Sequence, residues 1–165
     1  MLRHNHYERA FEGFLRDKRM PYVAVDESKK ALFAGSRLKS FDFVVYSKTG
    51  PNLLVDVKGR KAKDNASLQT WATRRDVEDL YQWERVFGDG FVAMLAYAFE
   101  IDPVLTPPPG HFRLVWQDQE RHYLLLGIVL RDYRDAMTER SARWDTVTVN
   151  AGDFRQLAKP MEAWL

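Results

Sequence analysis

An acid and a lysine stand two positions apart in the apolar run LLVDVKGRK, residues 53–61. Side chains alternate between the two faces of a β-strand, so Asp56 and Lys58 share a face with Leu54. A buried carboxylate or ammonium without a partner costs on the order of several kcal/mol, so these charges need a counterion, a metal ion or water. The pattern is typical of either an ion pair at the end of an edge strand or one part of a chemical site.

Other acidic residues favour a chemical site. Asp42 interrupts the apolar run FDFVV, and Glu8 and Glu12 lie in an amphipathic segment near the N-terminus. Taken alone, Asp42 is also explained as a carboxylate that accepts hydrogen bonds from backbone or arginine donors. Taken together, the carboxylates suit Mg²⁺ or Mn²⁺, and the absence of cysteine excludes thiolate ligands and cysteine nucleophiles.

The chemistry expected of such a cluster is phosphodiester hydrolysis. A divalent ion binds a phosphate oxygen, lowers the pKa of a bound water and stabilises the charge that develops on phosphorus. Lys58 beside the metal would orient that water or neutralise the pentacovalent phosphorus. The residues therefore predict a metal-dependent phosphodiesterase.

Several elements must place these groups together. Apolar residues from Tyr7 to Leu15 recur at helical spacing and predict a first helix that ends before Pro21. A short strand, YVAVDES, and a polar loop over residues 28–40 lead to the strand FDFVVYS, and the turn KTGPN makes it the antiparallel hairpin partner of LLVDVKGRK. A second helix is expected over DVEDLYQWERVFG with Asp76 as its cap, followed by the buried, often parallel strand FVAMLAYAF.

The C-terminal third begins after the TPPPG break near Pro107. It predicts a second hairpin from FRLVW and HYLLLGIVL, the segment RDYRDAMTERSARW, a short DTVTV strand and a final amphipathic turn, DFRQLAK. The order of the elements along the whole chain is that of an α/β sandwich.

Length and composition favour one globular domain over residues 1–165, with 45% hydrophobic and 13% aromatic side chains. The N-terminus lacks the apolar segment of a signal peptide, no apolar run approaches the roughly 20 residues that span a bilayer, and the absence of cysteine suits a reducing cytoplasm. A formal net charge of +2 does not by itself indicate a nucleic-acid partner. The cluster KGRKAK, with Arg74 and Arg75 beyond it, is either a solvated loop or a phosphate-binding patch.

These residues resemble the pattern of the PD-(D/E)XK nuclease superfamily, which has the restriction-endonuclease-like fold. The resemblance rests on a helix with a glutamate, Asp42 on the second strand and DVK at residues 56–58 on the third, followed by a helix and a strand. A bare acid-x-lysine match is weak, because ESK at residues 27–29 also fits, but only DVK lies on an apolar strand paired with another acidic strand. Phe41 replaces the proline of the motif's name, a departure that is common in the superfamily.

The resemblance implies a central mixed β-sheet flanked by helices. It places the common core over about residues 5–99 and treats about 107–165 as a C-terminal elaboration with extra strands and a helix. It also implies Mg²⁺ or Mn²⁺ as the cofactor. The implied metal ligands are the carboxylates of Asp42 and Asp56 and the backbone carbonyl of Val57.

The resemblance implies roles for further side chains. It favours Glu8 over Glu12 as the glutamate of the first helix, and it suggests Gln82 as a polar residue that reaches the site from the second helix. Lys58 is the lysine of the motif and is expected to activate the attacking water. The expected catalytic residues are Glu8, Asp42, Asp56, Lys58 and Gln82.

The expected function is a metal-dependent nuclease, and DNA rather than RNA follows from the resemblance alone. The side chains expected to bind phosphates are Arg60, Lys61, Lys63 and Arg74. Two alternatives stay open: a nuclease-like fold that lacks catalysis and acts in nucleic-acid binding or assembly, and a purely structural α/β domain. Many members of the superfamily dimerise, and the sequence leaves both a monomer and a homodimer open.

Overall fold

The structure, a computed structural model, describes residues 5–26, 31–33, 36–62, 68–102 and 115–165. Its helices are α1 (His6–Asp17), α2 (Arg74–Phe87), α3 (Leu130–Ala136) and α4 (Ala151–Leu157), with a final 3₁₀ turn (Met161–Trp164). Its strands are β1 (Tyr22–Ala24), β2 (Ala31–Phe33), β3 (Ser36–Leu38), β4 (Phe43–Val45), β5 (Asn52–Lys61), β6 (Ala72–Thr73), β7 (Phe91–Ile101), β8 (Val115–Asp118), β9 (Arg121–Val129), β10 (Thr138–Ser141), β11 (Thr146–Thr148) and β12 (Lys159–Pro160).

A mixed β-sheet forms the centre of the molecule. Its strands follow the order β1-β4-β5-β7-β9-β12, and β8 pairs with β9. β5 is antiparallel to β4 and parallel to β7 along its whole length, from Asn52 opposite Phe91 to Lys61 opposite Glu100. The prediction that the apolar strand after the second helix is an inner, parallel strand is confirmed.

Hydrophobic layers cover both faces of this sheet. Leu54 and Tyr97 belong to the layer that contains the apolar side chains of α2, α3 and α4, whereas Leu53 and Val55 belong to the layer that contains those of α1. The alternation along β5 confirms the predicted faces of that strand. It also places the acid and the lysine of the strand on the side of α2.

The hairpin of β4 and β5 aligns two acidic residues. Phe43 lies opposite Val55, and continuing this register by one residue places Asp42 opposite Asp56. Directly opposed residues in an antiparallel pair have Cβ atoms about 4.5–5.5 Å apart. The predicted hairpin is confirmed, although β4 is shorter than the expected strand and begins one residue after Asp42.

The second helix begins earlier than the sequence predicted. Its N-cap is Thr73, whose side-chain oxygen accepts a hydrogen bond of 3.0 Å from the Asp76 backbone N–H. The prediction of Asp76 as the cap was wrong, because threonine and aspartate both fit the cap preference and lie three residues apart here. Asp76 instead occupies the first turn.

The third strand matches the predicted run LLVDVKGRK, residues 53–61, and includes residues that the charge pattern alone also allowed as a loop. β5 continues through Lys61, so the first part of the KGRKAK cluster belongs to a strand and not to a loop. Its pairing with β7 explains the strand conformation of these residues, because the parallel neighbour continues as far as Glu100. The hairpin of β2 and β3 occupies part of the segment 28–40, which was expected to be a polar loop.

The C-terminal third completes the central sheet. The predicted second hairpin is confirmed as β8 and β9, and β9 pairs with β7 as well. β10, β11 and β6 form a separate small sheet. None of the helices in the described ranges is long and apolar enough to cross a bilayer.

Candidate active site

One open cavity of about 470 Å³ contains several of the residues that the sequence singled out. They are Glu8, Asp42, Asp56, Val57 and Lys58, and the other lining residues are Arg37, Lys39, Ser40 and Arg75. Glu8 reaches the cavity from the first turn of α1, while three neighbouring residues reach it from β5. The fold thus brings together groups from the N-terminal helix and the central hairpin.

Asp42 is fixed to the backbone of β5. It is 3% exposed, and its Oδ2 accepts a hydrogen bond of 2.7 Å from the Val57 N–H. Its own N–H donates to the Val55 carbonyl at 3.0 Å. The N–H and C=O groups of one strand residue point to the same side of the strand. The Val57 carbonyl is therefore directed to the side of β5 on which Asp42 lies.

Lys58 is held between two carboxylates. Its Nζ lies 3.0 Å from Asp56 Oδ2 and 2.7 Å from Asp76 Oδ2, and its side chain is 11% exposed. Burial alone would lower the pKa of Lys58, but the charges of Asp56 and Asp76 outweigh burial and raise this pKa well above its ordinary value. Lys58 is therefore a cation at neutral pH.

Asp76 is a member of this network that was missed in the sequence. Its side chain is 5% exposed and also accepts a hydrogen bond from Lys39 Nζ. Burial raises the pKa of Asp76, but Lys58 and Lys39 overcome this effect and lower the pKa to about 2. Its place in the first turn of a helix was visible in the sequence, but that position was interpreted as a cap.

Gln82, the residue expected to reach the site from the second helix, does not line the cavity. It follows Asp76 by six positions on α2, and at about 100° per residue this spacing turns its side chain roughly 120° away from that of Asp76. Asp76 therefore reaches the network from α2 in the manner expected of Gln82. A catalytic role for Gln82 stays a prediction.

The oxygen donors of the cavity suit a small divalent cation. Mg²⁺ is commonly bound by one or two carboxylates, with waters and phosphate oxygens completing its octahedron. Asp42, Asp56 and the Val57 carbonyl fit this requirement. In the part of the chain that the structure describes, no group of three or more acidic or histidine side chains could hold a metal ion. Glu8 thus lines the cavity without forming a three-carboxylate cluster.

Cationic side chains line the same cavity: Arg37, Lys39 and Arg75. The side chains of Lys39 and Arg75 are 52% and 63% exposed, so solvent and ligands can reach them. A cleft lined with positive charge attracts polyanions such as a nucleic-acid backbone. Arg37 and Lys39 belong to the segment expected to be a polar loop, where no periodic pattern marked them.

The predicted phosphate-binding residues have different surroundings. Lys61 is exposed at the end of β5. The Arg74 Nε lies 3.2 Å from a carboxylate oxygen of Asp145. Lys63 lies outside the described residues. Binding of phosphate by any of them stays a prediction.

Arg60 packs against the protein itself. Its guanidinium stacks on the Trp71 ring, 3.8 Å from the centroid, and donates hydrogen bonds to the carbonyls of Gly59 and Trp71. A stacked guanidinium with two carbonyl acceptors stabilises the end of β5. Contact with phosphate would compete with these interactions.

Comparisons with known proteins concern the fold. No protein-family model matches the chain, and no curated protein sequence does. Among solved structures, the chain is similar to Hjc, a Holliday junction resolvase from the archaeal hyperthermophile Archaeoglobus fulgidus, with a TM-score of 0.58 and 14% sequence identity. The match covers 96% of this chain and 97% of that chain. The chain has the restriction-endonuclease-like fold. At this identity the similarity establishes the fold alone.

Proposed function

We propose that the protein is a divalent-metal-dependent nuclease that hydrolyses phosphodiester bonds in DNA. The observation that supports this function best is that Asp42, Asp56, Val57 and Lys58 line one cavity together with Glu8 and three cationic side chains. Metal-assisted phosphodiester hydrolysis requires oxygen ligands, a cation near the phosphate and a surface that attracts the backbone. Oxygen ligands and cationic side chains of this kind line the same cavity.

The carboxylate and carbonyl oxygens of the site would bind the metal ion. Mg²⁺ or Mn²⁺ would be held by Asp42, Asp56 and the Val57 carbonyl, and when bound it would stabilise charge on the phosphate and acidify a water. The hydrogen bond from the Val57 N–H holds the Asp42 carboxylate against β5. Glu8 would complete or tune the site from α1.

The protonated state of Lys58 argues against a role as the base that takes a proton from the attacking water. A protonated ammonium cannot accept a proton from water, but it donates hydrogen bonds and stabilises negative charge. Lys58 would therefore neutralise the charge that develops on the pentacovalent phosphorus. Asp56 and Asp76 hold its Nζ in place for this role.

DNA is the substrate class that the structural similarity favours, because Hjc is a Holliday junction resolvase. Arg37, Lys39 and Arg75 would contact backbone phosphates around the cavity, and Lys61 would extend this surface along β5. Affinity that depends on such contacts should fall as the salt concentration rises.

A nuclease-like fold without catalysis is the second candidate function. The ion pairs of Lys58 with Asp56 and Asp76 favour it, because they already provide counterions for the charges on β5. In this case the cationic side chains would bind nucleic acid, and the carboxylates would have a structural role. Metal binding and cleavage separate the two candidates.

The first experiment is a calorimetric titration of Mn²⁺ into the wild-type protein, with and without DNA. Asp56→Ala should abolish binding, because it removes one of two carboxylate ligands. Asp89→Ala is the matched control, since Asp89 is exposed in the turn between α2 and β7, and it should leave binding unchanged. If the wild type binds no Mn²⁺, either with or without DNA, the result would support the second candidate function, a nuclease-like fold that lacks catalysis.

The second experiment measures nicking of supercoiled plasmid in Mg²⁺ and in Mn²⁺. Asp56→Ala and Lys58→Ala should each abolish nicking, whereas Asp89→Ala should retain it. Nicking that survives both active-site substitutions would show that this cavity is not where hydrolysis occurs.

A further inference from the structure

An apolar pocket of about 290 Å³ lies beside the cavity. The rings of Phe41, Trp83 and Phe87 form much of its wall, together with Val25 and Val44, and one carboxylate, that of Asp26, lines it as well. We call it the aromatic pocket. Ser40 lines both the aromatic pocket and the cavity. A charged site and an apolar site are therefore adjacent.

Edge-to-face contacts fix the three rings relative to one another. Phe41 lies 5.6 Å from Trp83 and 5.9 Å from Phe87, measured between ring centroids, and Trp83 lies 6.3 Å from Phe87. The Trp83 Nε1–H donates a hydrogen bond of 3.0 Å to the Lys39 carbonyl. The three rings are therefore packed against one another along the wall of the pocket.

The segment between β3 and β4 joins the two sites. Lys39 and Asp42 line the cavity, whereas Phe41 lines the aromatic pocket and is 3% exposed. Consecutive residues, Phe41 and Asp42, therefore line the two sites. Phe87 is 37% exposed and is the most exposed ring of the apolar wall.

We propose that the aromatic pocket binds one unpaired nucleobase of the strand whose phosphate occupies the cavity. This proposal rests on the proposed function, since it places nucleic acid in the cavity. It narrows the substrate class to DNA that has an unpaired nucleotide next to the scissile bond. The pocket is slightly smaller than the roughly 300–1,000 Å³ typical of sites for drug-sized ligands, which suits a single base.

Charge distribution favours a nucleotide over an apolar protein segment. A nucleotide joins an anionic phosphate to a flat, stackable base, and here Arg37, Lys39 and Arg75 line the cavity while aromatic rings line the adjoining pocket. Bases stack on aromatic side chains without regard to sequence. An apolar peptide would fill the pocket but would bring no anionic group to the cationic side chains of the cavity.

The test uses DNA that contains 2-aminopurine in a single-nucleotide bulge, and a fully paired duplex with 2-aminopurine at the same position. Binding is followed in the presence of a chelator, so cleavage is not needed. Stacking in the pocket should quench the fluorescence of the bulged DNA on binding. The wild type should bind bulged DNA more tightly than paired DNA.

Phe87→Ala removes the most exposed ring and should weaken binding to bulged DNA at least about fivefold, the lower end of the effect expected for one stacked base. Binding to paired DNA should not change. Phe87→Leu keeps an apolar side chain, which protects the fold, and should show the same loss of preference. Val86→Ala is the control, because Val86 is the neighbouring residue, 42% exposed, and does not line the pocket.

The outcomes separate this proposal from the proposed function. Cleavage of paired and bulged DNA at equal rates, with no effect of Phe87→Ala, would overturn the base pocket and leave the nuclease intact. Quenching and bulge preference without cleavage would support the pocket and contradict catalysis. A wild-type dimer that Phe87→Ala converts to a monomer in sedimentation would show that a second copy covers the pocket, and would overturn the proposal.

Discussion

The Nζ of Lys58 lies 2.7 Å from the carboxylate of Asp76, so a buried ion pair joins β5 to the first turn of α2. Lys39 reaches the same carboxylate from the segment that follows β3. A single aspartate therefore links three elements that surround the candidate active site. Both the stability of the fold and the position of Lys58 should depend on it.

Asp76→Asn should lower the free energy of unfolding by about 3 kcal/mol. Removing the charge of one partner from a buried ion pair leaves the other charge poorly compensated, and such changes typically cost about 3–5 kcal/mol. Lys58 keeps Asp56 as a partner in this variant, so the loss of stability should lie at the lower end of that range. Urea unfolding measures the change. Asp89→Asn, in the exposed turn that follows the same helix, should change stability by less than about 0.5 kcal/mol, and a similar small effect at Asp76 would contradict the prediction.

The same carboxylate predicts how stability changes in acid. The pKa of Asp76 is about 2 in the folded protein and 3.8 for an unperturbed aspartate, so the unfolded chain binds more protons between these values. The contribution of Asp76 is complete above about pH 4 and is lost as the pH falls through about 2. Urea unfolding across this range should therefore show the difference between wild type and Asp76→Asn shrinking by about 2 kcal/mol. A difference that does not depend on pH would show that the Asp76 pKa is not lowered by folding.

The central part of the candidate site could be predicted from the sequence because its causes are local. Alternation along an apolar strand places Asp56 and Lys58 on one face, and a short turn makes the preceding strand the antiparallel partner. This register, continued by one residue from the observed pair of Phe43 and Val55, aligns Asp42 with Asp56. Placing Glu8 at the same cavity required the resemblance, because a glutamate on an exposed helix face has no local signature.

The other residues of the candidate site are brought together by tertiary packing, which leaves no local pattern in the sequence. Arg37 and Lys39 follow no periodic pattern, and only the folded segment between β3 and β4 brings them to the cavity. Trp83 and Phe87 stand at helical spacing, which is the same for a buried helix face and for the wall of an open pocket. Asp76 and Thr73 both fit a cap position in the sequence, and only the folded helix shows that Thr73 occupies it.

Gly59→Ala should destabilise the protein and disturb the cavity. Gly59 follows Lys58 on β5, and a Cβ atom at this position would overlap the ring of Tyr7. Overpacking of this kind typically costs about 1–3 kcal/mol. Because Tyr7 precedes Glu8, a shift of α1 would also move Glu8 relative to Lys58. We expect a loss of about 2 kcal/mol in urea unfolding and a lower rate of plasmid nicking.

Two variants test whether the overlap is the cause. Gly50→Ala adds the same methyl group in the turn between β4 and β5, where its nearest neighbour would be the Ser47 hydroxyl at 3.6 Å, and it should have little effect. Tyr7→Ala removes the overlapping ring, so Gly59→Ala should cost little stability when both substitutions are combined. A penalty that persists in the double variant would mean that Gly59 is required for another reason.

Arg60 and Lys61 are neighbours on β5 that should respond to substitution in opposite ways. Arg60 stacks on Trp71 at 3.8 Å, so Arg60→Ala should lower the free energy of unfolding by about 1–2 kcal/mol and leave the salt dependence of DNA binding unchanged. Lys61 is exposed, so Lys61→Ala should leave stability unchanged and reduce the slope of log affinity against log salt by about 0.9, the value for one phosphate contact. Urea unfolding and DNA titrations at several salt concentrations measure both effects. The opposite result for Arg60, a smaller slope with unchanged stability, would show that its guanidinium leaves Trp71 to bind phosphate.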